Sequence, residues 1–330
     1  MIGSKNVWTI LALPAMAFAL FTCGQPEEVA DEWPRFVSDV AIESSFDKAE
    51  QRAKFWEPSG LDGPYPLLVA LHTWSGDYRQ PNFEYLDWCQ THRWALIHPD
   101  FRGRNDNPEA TGSAAALRDV KDAVEFARRH APIDEDRIYL VGASGGGFMT
   151  LLTASTFPEI WAGASAWVPI SDLAAWYQES TDRNNRYASE VAASTGGPPG
   201  SSAQADEQYR LRSPINYLHQ ASGLPMDINA GIHDGHTGSV PISHSLNAFN
   251  VLARAGGFGA RTIAPEQIDF MVQNEAVPSG LISETDQDQL YGRDIHLRLS
   301  AGPARVTIFE GGHEIIPEAA LTWLAGQRRD

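Results

Sequence analysis

A serine, an aspartate and a histidine stand in three short strings that each follow a strand-like segment: Gly142-Ala143-Ser144-Gly145-Gly146, Gly231-Ile232-His233-Asp234 and Glu310-Gly311-Gly312-His313. A serine hydroxyl is a weak nucleophile at neutral pH. It needs a histidine to take its proton and a carboxylate to hold that histidine in the productive tautomer. Ser144, His313 and Asp234 supply those three types in the chain order nucleophile, acid, base. Glycines around Ser144 allow a sharp strand-to-helix turn without a Cβ clash. The alternatives are a helix N-cap for Ser144 and a surface-loop histidine for His313; the strand before and the helix after Ser144, and the strand before His313, favour the catalytic reading. Asp172, in Pro169-Ile170-Ser171-Asp172, also follows an apolar run and is a second candidate acid, although it could equally cap a helix starting at Leu173.

Acylation and deacylation both pass through an oxyanion that backbone N–H groups must stabilise. Gly145, directly after the nucleophile, is one expected donor. The other is expected in the turn His72-Thr73-Trp74-Ser75-Gly76, from Thr73 or Trp74. Ten tryptophans is a high count, and Trp74, Trp167 and Trp176 lie in segments expected to border the pocket. Their flat faces would suit stacking on sugar rings, against the alternative of core or cap packing. His233, His236 and His244 cluster near Asp234 but lack a recognised ligand spacing, so neither a metal nor any other cofactor is expected. Cys89 reads as a buried, inert thiol, and with Cys23 the only other cysteine, a disulfide framework is excluded.

These residues need a scaffold that presents them together. Segments 66–72, 94–99, 137–141, 160–168, 226–231 and 305–309 read as strands, and 66–72 is a short continuous apolar run of the kind a buried parallel strand requires. Between 113 and 130, Leu117, Val120, Val124 and Ala127 form one apolar stripe beside Arg118, Lys121, Asp122 and Glu125, which predicts a helix covering a sheet. Strands alternating with helices imply an α/β fold with a mostly parallel central sheet flanked by helices. Two segments break the rhythm. Residues 174–212 are read as a cap insertion beside the site, and 257–303 as a second insertion with weak local patterning.

The 330 residues suffice for one large core, and the catalytic domain is expected to span 36–330. A formal charge of −17 excludes a nucleic-acid partner, because no basic patch is visible. Lys5 followed by the apolar stretch 7–21 predicts an export signal over 1–22, too short for a membrane span. Leu20-Phe21-Thr22-Cys23-Gly24 resembles a bacterial lipobox, so Cys23 is the expected lipid-bearing residue, with 23–35 as a linker. The expected location is therefore export, either as a membrane-anchored lipoprotein or as a periplasmic or secreted protein. Contact with a membrane would run only through that lipid. Oligomeric state is not legible.

Over roughly residues 60–325 the chain resembles the prolyl-oligopeptidase-type catalytic domain of the α/β-hydrolase superfamily. The resemblance is carried by Asp134-Glu135-Asp136-Arg137-Ile138 leading into Gly142 to Gly146, by Arg212-Ser213-Pro214, by Gly231 to Asp234 with Val240-Pro241, and by Gly312-His313. It implies Ser144, Asp234 and His313 as a triad, in a family that includes peptidases, acyl hydrolases and carbohydrate esterases. Three departures stand out. About 40 residues separate the expected signal from the first core strand, too few for a β-propeller. His72-Thr73-Trp74 replaces the common His-Gly-Gly turn, and five residues separate Asp234 from Val240, more than is usual. A carboxylic-ester hydrolase, acting on acylated carbohydrate or similar esters, is the first expectation. A peptidase for small peptides is the second, with Glu179 or Arg183 as groups to read a peptide terminus. A non-catalytic binding protein on the same fold is the third.

Overall fold

Every residue of β3 (Tyr65–Leu71) is buried, as a strand covered by helices on both faces requires. The same holds for β4 (Ala95–Pro99), β6 (Gly163–Trp167) and β7 (Met226–Gly231). The computed structural model describes residues 1–3, 32–60 and 63–329, and the unit that holds these strands begins at Glu32. Cys23 and most of the expected signal lie outside the described residues. With β1 (Ser38–Glu43), β2 (Glu50–Trp56), β5 (Ile133–Ala143), β8 (Gln287–Asp288), β9 (Arg293–Ala301) and β10 (Ala304–Phe309), they form a sheet of order β1-β2-β4-β3-β5-β6-β7-β10-β9-β8. Pairing is parallel from β4 through β10 and antiparallel at both ends.

The helices follow from the sequence stripe and its caps. In α2 (Ala114–His130), Ser113 Oγ accepts from the Ala116 N–H at 3.0 Å, and Ala116, Val120, Ala123, Val124 and Ala127 are fully withdrawn from water. α2 packs against α3 (Gly145–Thr156), and α1 (Phe83–His92) against α9 (Pro317–Ala325). Asp119 is buried on α2, where it meets the Arg102 guanidinium at 2.5 Å and the Ser44 hydroxyl; Arg102 also reaches Asp47 at 2.8 Å. This network joins the β1–β2 hairpin to the helix layer.

The segment 174–212 holds most of α4 (Leu173–Asp182), all of α5 (Tyr187–Thr195) and α6 (Ala203–Arg212). The segment 257–303 differs from a simple insertion. It contains α8 (Pro265–Asn274), which follows α7 (Ser243–Ala255), and also β9, which extends the main sheet by pairing with β10. Its apolar signal is weak because β9 buries an arginine: Arg298 is withdrawn from water, held by Asp288 at 2.8 Å and by Thr307 Oγ1 at 3.1 Å.

Candidate active site

Ser144 sits between the end of β5 and the start of α3 with φ +58° and ψ −118°. A side-chain-bearing residue there carries about 1–3 kcal/mol of strain, so its surroundings must impose the turn. They do so from both sides. The Ser144 N–H donates to Trp167 O on the neighbouring β6 at 2.9 Å, and its carbonyl accepts from Phe148 at 2.8 Å. A Cβ on Gly142 would fall 2.4 Å from the Gly146 carbonyl carbon, and one on Gly146 would fall 2.5 Å from Leu71 O, so the bend closes only when both are glycine. The result is a hydroxyl presented at a helix N-terminus. Among the described residues that hydroxyl has no hydrogen-bond partner.

Asp234 and His313 leave adjacent parallel strands, β7 and β10, in which Gly231 pairs with Phe309. The structure brings them together: His313 Nδ1 lies 2.8 Å from Asp234 Oδ2. Asp234 is buried, and its other oxygen accepts from the Gly235 N–H at 2.9 Å and the Val240 N–H at 3.2 Å. With three donors around it, the carboxylate is fixed in one orientation, and it in turn fixes the imidazole. His313 Nε2 has no partner among the described residues, and the ring is partly exposed. Asp172 is occupied elsewhere: its Oδ1 caps α4 by accepting from the Ala174 N–H at 2.9 Å and the Ala175 N–H at 3.2 Å.

The turn after β3 packs directly on the start of α3. A Cβ on Gly145 would lie 2.3 Å from the Trp74 amide nitrogen, which places the two backbones in contact. The Trp74 and Gly145 N–H groups are both without a partner among the described residues. Thr73 differs, because its N–H already donates to Gln80 Oε1 at 3.1 Å. Of the two residues expected to give the second oxyanion donor, Trp74 therefore has the free group and Thr73 does not. His72 braces the turn from below, with ring nitrogens 2.9 Å from Thr73 O and 2.8 Å from Asp100 O, and it stacks on Phe101 at 3.7 Å.

A prolyl oligopeptidase family profile matches residues 109–265, and a BD-FAE profile matches 54–160. The acylaminoacyl peptidase of Pyrococcus horikoshii superposes with a TM-score of 0.56 at 18% identity, over 67% of this chain and 35% of that one. The chain has the α/β-hydrolase fold and is similar to the prolyl oligopeptidase family over residues 109–265. Among curated relatives it is similar to poly(3-hydroxyalkanoate) depolymerase C of Paucimonas lemoignei, 30% identical over 33% of this chain and 28% of the depolymerase. It is similar to the uncharacterized peptidase YtmA of Bacillus subtilis, 28% identical over 46% and 55%, and to an acetylxylan esterase of Coprinopsis cinerea, 24% identical over 34% and 33%. The matches thus span between 28% and 55% of these relatives' lengths.

Of the two roles open to the three tryptophans, stacking on a sugar or packing in the core or cap, the structure shows packing. Trp74, Trp167 and Trp176 are each at most 2% exposed. Trp74 meets Trp176 edge-on at 4.6 Å, Trp176 stacks on Tyr187 at 5.0 Å, and Trp167 packs against Tyr291 and Phe309. Each indole N–H is also used: Trp74 donates to Glu190, Trp167 to Ser165 Oγ and Trp176 to Ser239 O. They shape the walls of the site from behind. Glu179, a candidate for reading a peptide terminus, is engaged by buried His244 at 3.0 Å, while Arg183 has no side-chain partner among the described residues. No group of three or more His, Cys, Asp or Glu side chains among the described residues is arranged to hold a metal. Burial pushes the Cys89 thiol upward, toward its unreactive protonated form. Sequence reasoning missed Gln80, Glu190 and Arg186, all of which touch the turn at Thr73 to Ser75. Glu190 is 116 residues from Trp74, so no local pattern could reveal the pair.

Proposed function

We propose that this hydrolase cleaves carboxylic esters through Ser144, His313 and Asp234, with acylated polysaccharides or comparable esters as the substrate class. The observation that carries the reading is the His313–Asp234 pair, which leaves Nε2 as the one uncommitted ring nitrogen while a strained turn holds up an uncommitted serine hydroxyl. His313 Nε2 takes the Ser144 proton as Oγ attacks the ester carbonyl, and Asp234 stabilises the imidazolium that forms. The Trp74 and Gly145 N–H groups receive the oxyanion. The imidazolium returns its proton to the departing alcohol, and water then repeats the sequence on the acyl-enzyme.

Ester rather than amide cleavage is favoured on two grounds. An alcohol leaves more easily than an amine, so a triad, an oxyanion hole and a helical cap suffice, and among the described residues there is no propeller to screen or orient a peptide. Two of the relatives are named for ester cleavage on polymers. The peptidase reading rests on the relative named as a peptidase and on the family profile. A side-by-side rate comparison with p-nitrophenyl acetate, acetylated xylan and an aminoacyl or prolyl p-nitroanilide, with Ser144→Ala as blank, tests it. Ester turnover without anilide turnover supports the proposal; comparable anilide turnover makes the protein a peptidase, and none at all favours a binding protein.

The same proposal includes export under the leader at 1–22 and lipid attachment at Cys23. Labelling cells with a radioactive fatty acid should mark the wild type and not Cys23→Ala. A soluble, unlabelled product would mean ordinary signal cleavage.

A further inference from the structure

The free Trp74 N–H belongs to a residue whose side chain is held by the cap. Glu190, in the first turn of α5, accepts the Trp74 indole N–H through Oε2 at 2.8 Å, and only 14% of its side chain is exposed. Arg186, at the N-cap of the same helix, donates Nη2 to Ser75 Oγ at 2.7 Å and stands 3.6 Å from the Glu190 carboxylate. Further along α5, Ser194 Oγ receives the Thr111 hydroxyl at 2.8 Å; Thr111 N–H is held by Asn105, whose own N–H donates to Trp74 O at 2.8 Å. One cap helix therefore grips consecutive residues of the turn, at Trp74 and Ser75, and braces the loop that binds the Trp74 carbonyl.

This arrangement has a chemical consequence, because an oxyanion donor works only when its N–H lies about 2.7–3.1 Å from the developing charge and aims at it. Rotation of the 73–74 peptide would spoil that aim. The carbonyl side of that peptide is held where Thr73 O meets the His72 ring at 2.9 Å and the Gly76 N–H at 3.2 Å, and the indole adds a hold on the N–H side while an acceptor satisfies its N–H and its ring is wedged against Trp176. We propose that Glu190 is a positioning residue for the oxyanion hole: by holding the Trp74 indole it fixes the Trp74 N–H, so the cap governs the rate of acyl transfer as well as access to the site. The proposal rests on the ester-hydrolase reading above.

The test uses the full chain, with kcat and KM for p-nitrophenyl acetate and the affinity of an arylboronic acid, which forms a tetrahedral adduct on a catalytic serine. Glu190→Ala is expected to lower kcat roughly 10- to 100-fold, with KM little changed and boronate affinity falling in step. Glu190→Gln keeps an acceptor and should recover most of that loss. Trp74→Phe keeps an aromatic side chain but removes the indole N–H together with its five-membered ring, so it should reproduce the defect with Glu190 left in place; combined with Glu190→Ala it should be no worse than the worse single change. Additive losses, a defect confined to KM, or unchanged boronate affinity would overturn the proposal. A second readout is independent of turnover. In a 15N-labelled Ser144→Ala background, Glu190→Ala should shift both the indole and the backbone amide signals of Trp74. An indole that shifts while the amide stays would refute the coupling even if the chain hydrolyses no ester, and absent ester turnover with both signals shifting would fault the functional reading instead.

Discussion

Replacing Asp234 by asparagine is a sharper test of the triad than removing it, because the structure dictates how the amide must sit. Asp234 Oδ1 accepts two backbone N–H bonds, from Gly235 at 2.9 Å and Val240 at 3.2 Å, while Oδ2 faces His313 Nδ1 at 2.8 Å. Asparagine has one acceptor oxygen and one donor NH2. Turning the NH2 toward the two backbone donors would forfeit both bonds in a buried site, at about 1–3 kcal/mol for each group left unpaired. The amide oxygen therefore keeps the backbone side and the NH2 points at His313 Nδ1. That nitrogen must then accept, which puts the imidazole proton on Nε2, where it cannot take a proton from Ser144. The wrong tautomer should lower kcat by about 10^4 with the fold intact, which is the size of effect expected when a triad carboxylate becomes an amide. Asp172→Asn, which alters only the cap of α4, should cost activity far less. Initial rates with p-nitrophenyl acetate, against Ser144→Ala as blank and with melting curves for each variant, measure this. A kcat for Asp234→Asn within tenfold of wild type, or a larger loss in Asp172→Asn, would refute the reasoning.

Other perturbations test other parts of the molecule. Ser144→Gly should abolish turnover yet melt higher than Ser144→Ala, because glycine relieves about 1–3 kcal/mol of strain at φ +58° and returns about 0.5–1 kcal/mol as unfolded-chain entropy; equal melting points would argue against strain at the turn. Arg102→Leu strands buried Asp119 without its partner and should destabilise the fold by about 3–5 kcal/mol in urea unfolding, while a loss below 1 kcal/mol would mean the network contributes little. His233 contacts two carboxylates, Glu275 at 2.5 Å and Glu310 at 2.9 Å, with His236 also near Glu275 and His296 on Glu310, and these bonds, Glu275 first, hold its imidazolium above the usual histidine range. Its folded-state pKa is raised, so its contribution is fully present below the unfolded value near 6.5 and fades as pH rises through the folded value. The melting-temperature gap between wild type and His233→Asn should accordingly narrow from about pH 6 upward, and a gap that widens with pH would reverse the assignment.

What was legible in the chain was whatever depends on local pattern. The fully buried strand β3 announces itself as a continuous apolar run, β4 and β6 as short, mostly apolar segments, the α2 stripe as a 3.6-residue period, and the turn at Ser144 as glycines between a strand and a helix. The hairpin β1–β2 and the strand β9 were not, because they are edge or near-edge elements that carry charged residues such as Asp39, Arg52, Lys54 and Arg298. The role of the tryptophans stays open in the sequence for a different reason. Sequence shows that Trp74 and Trp176 flank the site, but only packing shows that their faces are spent on each other.

The choice between Asp172 and Asp234 shows most clearly what a one-dimensional reading lacks. Both follow a strand, and both precede the histidine. What separates them is strand order: β7 lies beside β10, whereas β6 is one strand further away. Neighbouring strands are about 4.8 Å apart, so a residue leaving β7 starts one spacing from the loop that carries His313, and one leaving β6 starts about 10 Å away. The loops after β7 and β10 even continue to pair beyond the sheet, with Ile232 N–H on Phe309 O at 2.8 Å and His233 N–H on Gly311 O at 3.0 Å. Asp234 is thus carried to His313 by the sheet itself. Asp172 would have to cross β7 to reach the same ring, and its backbone turns instead into α4, where the carboxylate satisfies two N–H groups that a helix start would otherwise leave open.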